Sequence, residues 1–199
     1  QDFDTNLNLA ACYFQLGKYD LAEEYCLKAI KVNPEMPQVY CNLAIIYDSQ
    51  NRLYDAVREY KKSLDLDPQQ PKVLLNLGST YIRQNRLNQA INAFQLAAAL
   101  APNDPAPQEQ IGSCYYRMGD YPAAEEAYRK SLELNPNNAT AQRGLGVLFM
   151  TQFVMNPNRV DLRDQALAAW NVSLELKPNQ PDLRDLVQKY TPRYAGPEL

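Results

Sequence analysis

Apolar and polar positions along this chain recur on two scales. The shorter is the three-or-four-residue spacing that lines one face of a helix, and the longer is a step of 34 residues on which the whole pattern returns. Large apolar residues stand at Leu9, Leu43, Leu77 and Ile111, each followed by a small one, Ala10, Ala44, Gly78 and Gly112. Tyrosine falls at Tyr13, Tyr47, Tyr81 and Tyr115, alanine at Ala22, Ala56, Ala90 and Ala124, and proline at Pro34, Pro68, Pro102 and Pro136. A large side chain, or cysteine in the first copy, recurs at Cys26, Tyr60, Phe94 and Tyr128, and a small one at Ala29, Ser63, Ala97 and Ser131. Each copy therefore predicts two antiparallel helices. In the first they run from about Asp4 to Leu16 and from about Tyr19 to Val32.

Punctuation agrees with periodicity. Gly17, Asn51, Asn85 and Gly119 recur at the turn between the two helices, and glycine and asparagine most readily take the left-handed conformation that ends a helix. Pro37, Pro71, Pro105 and Pro181 open the following helices, where a missing amide costs little, and Asp104 is placed to cap the helix at Pro105. The preceding Asn-Pro or Asp-Pro steps end the helices before them.

The spacing of leucine, small residue, aromatic, alanine, aromatic and closing proline resembles the tetratricopeptide repeat over nearly the whole chain. The resemblance implies an all-α fold, a right-handed α-solenoid of antiparallel helix pairs. It also implies a non-enzymatic adaptor that holds a peptide segment of another protein in a concave groove. Four regular copies occupy 3–36, 37–70, 71–104 and 105–138. A fifth begins with Leu145, Gly146 and Phe149, after which Ala166, Trp170, Ser173 and Pro178 lie eight residues late. The fifth repeat, 139–180, thus carries an eight-residue insertion, with its first helix continued through TQFVM, a turn at Asn156-Pro157-Asn158, and a protrusion from Phe153 to Val160. An amphipathic helix at 181–190, with Leu183, Leu186 and Val187 on one side, caps a single array over 1–190; 191–199 is a tail.

Composition narrows the function. A net charge of −3, from 20 basic and 23 acidic residues, gives no overall field toward nucleic acid. No apolar run reaches the roughly 18 residues that span a bilayer. The start at Gln1 is read as a trimmed or processed N-terminus, compatible with removal of a leader or anchor, and the compartment stays open between cytoplasm and periplasm. With no histidine the chain lacks the commonest general base and zinc ligand, no glycine loop cradles phosphate, and neither catalytic residues, metal nor cofactor is expected. Cys12, Cys26, Cys41 and Cys114 form no CxxC pair and read as buried thiols. The triplets Asn138-Ala139-Thr140 and Asn171-Val172-Ser173 carry little weight as glycosylation sites, the second lying inside a helix.

In the resembled family the first helix of each pair lines the groove. Helical spacing then assigns the apolar contacts to Leu7, Phe14, Ile45, Leu75, Ile82 and Tyr116 and the basic ones to Lys72, Arg83, Arg117 and Arg143. Asn8, Asn42 and Asn76 recur one residue beyond the first groove column; in relatives such a ladder hydrogen-bonds the backbone of an extended peptide. The arginines suit an acidic group or chain terminus on the partner, or else they pair with Asp48 or Glu109 next door. The chaperone-tail carboxylate clamp of some relatives is half absent, because Leu7 and Ala11 stand at its first lysine and asparagine and Asn76 replaces its arginine, although Asn42 and Lys72 match. A second reading also stands: a structural module that self-associates, as a homo-oligomer, or docks into a larger complex through its ends and the fifth-repeat insertion.

Overall fold

The computed structural model describes residues 2–192; the tail expected at 191–199 lies, from residue 193 on, outside them. Eleven α-helices make up the described residues, with no strand among them: α1 Phe3–Gln15, α2 Tyr19–Val32, α3 Pro37–Ser49, α4 Leu53–Leu66, α5 Pro71–Arg83, α6 Leu87–Leu100, α7 Ala106–Met118, α8 Tyr121–Leu134, α9 Ala139–Met155, α10 Val160–Leu176 and α11 Pro181–Tyr190. They pair consecutively, α1 with α2 through α9 with α10, and α11 packs on α10. This is the α-solenoid class. The chain falls into two compact units, Gln1–Pro102 with α1 to α6 and Asn103–Leu199 with α7 to α11. Within the first unit α3 lies beside both α1 and α5, and within the second α7 lies beside α9.

The turns follow from their residues. Gly17, Asn51, Asn85 and Gly119 all have positive φ, at 69°, 61°, 59° and 81°, the left-handed geometry that lets each chain reverse after one helix. Asp104 accepts the Ala106 amide at 2.9 Å, and Asn138 caps α9 by accepting the amides of Thr140 and Ala141.

The core is fitted pair by pair. Gly78, Gly112 and Gly146 lie against the rings of Phe94, Tyr128 and Trp170 so closely that an added Cβ would sit 2.4, 2.7 and 2.2 Å from ring atoms. In the first copy Ala10 occurs with the smaller Cys26, and both are buried. The tyrosine column does pack: Tyr47 and Tyr81 are buried, and the guanidinium of Arg52 lies 4.0 Å from the centre of the Tyr47 ring, as Arg86 lies 5.0 Å from that of Tyr81. Burial and the Glu23 carboxylate, which accepts its hydroxyl, push the Tyr47 phenol up to about 12.

A small polar clasp closes the foot of three pairs. The hydroxyls of Ser63, Ser131 and Ser173 donate to the carbonyls of Pro37, Pro105 and Ala139 at 2.9, 3.0 and 2.8 Å. Seven residues later a carboxamide, from Gln70, Asn138 or Gln180, donates back to the serine oxygen. The first and third copies have Ala29 and Ala97 instead, and there Met36 and Asp104 replace the amide. The two positions change together: the buried hydroxyl gives the half-buried amide an acceptor, and in the second and fifth pairs that amide also donates to backbone carbonyls nearby.

The fifth pair differs in length. α9 has 17 residues where α3 has 13, and α10 has 17 where α4 has 14. About one helical turn is thus added to each arm, which leaves the apolar faces in phase. The expected protrusion over Phe153–Val160 is therefore half helix: Phe153, Val154 and Met155 end α9, Val160 opens α10, and residues 156–159 lie between them. Phe153 is half-buried on the core of Leu148, Phe149, Leu162 and Trp170, while Val154, Met155 and Val160 are exposed. Leu183 of α11 is fully buried against this core, with Leu186 and Val187 of the same helix partly buried on it.

Two expectations about cysteines need correction. Cys26 and Cys114 are buried, and burial pushes their thiols up to about 12 and about 11, but Cys12 is exposed and Cys41 only half-buried. In the second and third copies the column of Cys12 holds Ile46 and Thr80, both 1% exposed. That face is covered only by a preceding pair, and α1 has none among the described residues.

Candidate functional site

The face formed by α1, α3 and α5 carries the first-unit candidates. Leu7, Phe14, Ile45, Leu75 and Ile82 are each half-buried there, held by the core residues one turn away and still presenting apolar surface. Between α1 and α3 lies a pocket of about 210 Å³ lined by Ala10, Ala11, Phe14, Gln15, Asn42, Ile45 and Ile46. Its depth comes from the paired alanines, whose short side chains leave the space that Phe14 and Ile45 wall in.

Two sets of polar groups on this face behave differently. Asn8, Asn42 and Asn76 make no side-chain hydrogen bond among the described residues, so their amides keep both donor and acceptor for a ligand. Arg83 is engaged. Its guanidinium donates to the Asp48 carboxylate, to the Asp48 carbonyl at 2.9 Å and to the Asn51 side chain at 3.0 Å. The other Asp48 oxygen accepts from the hydroxyl of buried Thr80 at 2.9 Å. Lys72 is exposed on the first turn of α5.

In the second unit the corresponding polar groups satisfy one another. Tyr116 shares a hydrogen bond with Thr151 at 2.9 Å, Glu109 accepts from Asn138 at 2.9 Å, and Gln110 donates to Glu109 at 3.3 Å. Arg117 and Arg143 are exposed. The sequon residue Asn138 has its amide nitrogen committed to Glu109 and Ser131, and Ser173 of the other sequon is buried in its clasp. An apolar trough of about 310 Å³ opens between α9 and α11, walled by Val147, Met150, Val154, Met155, Leu186 and Tyr190. It was not anticipated from the sequence; the signal was the unusually apolar run LFMTQFVM combined with the cap helix that follows.

No group of three or more acidic, cysteine or histidine side chains among the described residues could hold a metal ion, and no described helix is long and apolar enough to cross a membrane. Helix pairs with a small-residue seam, left-handed turns and an open face on the first helices define a protein-interaction repeat scaffold. Models of the tetratricopeptide repeat match residues 4–36 and 110–138, and a second model of the same repeat matches 49–109, together more than half of the chain. The chain belongs to the tetratricopeptide repeat family. Such repeats are in general interaction modules without catalysis, and no catalytic family matches.

Solved structures agree on the fold. MamA from Desulfovibrio magneticus RS-1 superposes with a TM-score of 0.76 at 18% identity, over 89% of this chain and 96% of that one. YrrB, described as a repeat protein of this type with an unusual peptide-binding site, gives 0.70 at 18%, over 92% and 90%. PilF of Pseudomonas aeruginosa gives 0.68 at 23%, over 94% and 88%. Among curated proteins nothing matches the chain.

Proposed function

We propose that this protein is an adaptor that binds an extended segment of a partner protein on the face of α1, α3 and α5. The observation that carries the reading is the conjunction of an apolar pocket with carboxamides that have no internal partner. A side chain of the segment fills the pocket between Ala11, Phe14 and Ile45, Leu7, Leu75 and Ile82 extend the apolar contact, and Asn8, Asn42 and Asn76 bond its backbone. YrrB, of the same fold, is a precedent for peptide binding on such a scaffold. The test is selection of a random peptide library, with free and with blocked C-termini, on the wild-type protein and on Ala11→Phe, which fills the pocket. Enrichment on wild type that Ala11→Phe abolishes supports the site; failure of the folded wild-type protein to enrich any peptide rejects it.

The exposed Val154, Met155 and Val160 beside the α9–α11 trough favour a second reading, self-association through the fifth pair. Light scattering decides it. A mass that rises with concentration in wild type and not in Val154→Asp with Met155→Asp supports self-association, and a monomer at high concentration rejects it.

A further inference from the structure

We infer that the first-unit site selects a segment with an uncharged apolar anchor and rejects acidic ones, and that Asp48 sets this selectivity by neutralising Arg83. The inference rests on the peptide reading above and concerns what that peptide must contain. Asp48 stands in a column that is otherwise apolar, Phe14 before it and Ile82, Tyr116 and Met150 after it. Its carboxylate is held on both oxygens, by the Thr80 hydroxyl on one side and Arg83 on the other.

Arg83 in turn directs its donors to acceptors of α3 and the turn after it. An incoming carboxylate would have to displace Asp48 from the guanidinium and then sit beside it, two like charges at one cation. The rest of the face gives no compensation. Among α1, α3 and α5 the only ionised side chains are Asp4, Asp48, Lys72 and Arg83, which sum to zero.

What remains is apolar volume. An apolar cavity of about 150 Å³ accepts a benzene-sized group, so the 210 Å³ pocket has room for one aliphatic or aromatic side chain. The unpaired asparagine amides complement an uncharged backbone on either side of it. An arginine on this face that looks like an anion receptor from its position alone is already occupied.

The experiment is the phage-displayed random dodecapeptide library, selected in parallel on the full chain, on Asp48→Asn and on Arg83→Gln, each checked by circular dichroism. Wild type is expected to enrich Leu, Ile, Met or Phe and to deplete Asp and Glu, and Asp48→Asn to raise acidic residues about threefold or more over wild type. Peptides selected on wild type should bind Arg83→Gln within about threefold of wild type, which keeps the test decisive where Asp48→Asn does not fold. Acidic peptides on wild type, an unchanged profile on folded Asp48→Asn, or a tenfold or greater loss on Arg83→Gln each overturn the selectivity while leaving peptide binding in place. Enrichment of nothing on folded wild type removes the peptide reading itself.

Discussion

In the second helix pair Ser63 reaches back to Pro37 across 26 residues, and in the fifth Ser173 reaches back to Ala139 across 34. The bond lengths are 2.9 and 2.8 Å, and the amides of Gln70 and Gln180 back the serines in the same way. The difference in length lies at the other end of the hairpin: longer arms, a different turn, and exposed Val154 and Met155 beyond the positions that match Ser49 and Gln50. The foot ties the end of one pair to its own start, and the same clasp returns in three of the five pairs. The far end answers only to solvent or a partner and is free to change.

The comparison breaks first at the seam. Trp170→Ala empties the space beside Gly146 and should cost about 3–5 kcal/mol, read from urea unfolding of the whole chain by circular dichroism because Trp170 is the only tryptophan. Gly146→Ala attacks the same contact from the other side and should cost about 1–3 kcal/mol by overpacking. If Gly146→Ala is neutral, the fit of glycine to indole does not distinguish the fifth pair from the second, where Ala44 holds that place.

At the foot, Ser63→Ala should cost about 1–2 kcal/mol, because the Gln70 amide loses an acceptor in a partly buried site. Adding Gln70→Met reproduces the natural Ala29 and Met36 combination and should recover a good part of that loss. A double-mutant cycle that shows no coupling would mean the serine and amide change together for another reason.

The smallest effect appears only in alkali. Cys26 occupies the place of the rings, and its thiol is pushed from 9.0 to about 12 by burial. The unfolded chain therefore loses that proton first. Its contribution is complete below about pH 9 and falls as pH rises toward 12, by about 1 kcal/mol at pH 10. Cys26→Ala should flatten the fall between pH 9 and 10; an unchanged slope would mean the thiol is solvated in the folded chain.

The sequence reading was strongest where one residue decides one conformation. The four left-handed turns at Gly17, Asn51, Asn85 and Gly119 and the cap at Asp104 rest on local backbone preferences, and the pairing of helices follows from the repeated apolar columns that the pairs bury. Contacts between pairs were harder to see. That Arg83 meets Asp48 rather than a ligand depends on the offset between α3 and α5, so spacing alone left both outcomes open. Cys12 shares a column with buried residues yet is exposed, because what buries that column is a neighbour and not the helix itself. The serine and amide clasp stood in the sequence as two columns seven apart, but their joint variation carried no meaning until the hydroxyl was seen to need both partners.

The lengthened fifth pair also bears on how such a chain can be rebuilt. Eight residues have been accommodated with the serine bond at the base intact, so the four-residue loop from Asn156 to Arg159 is a natural point of insertion. Epitope tags, fluorophore-labelling sites or whole binding loops grafted there would ride on a stalk one turn taller than its neighbours. By the same logic, descendants of such a protein can acquire new appendages at this tip without renegotiating the architecture beneath it.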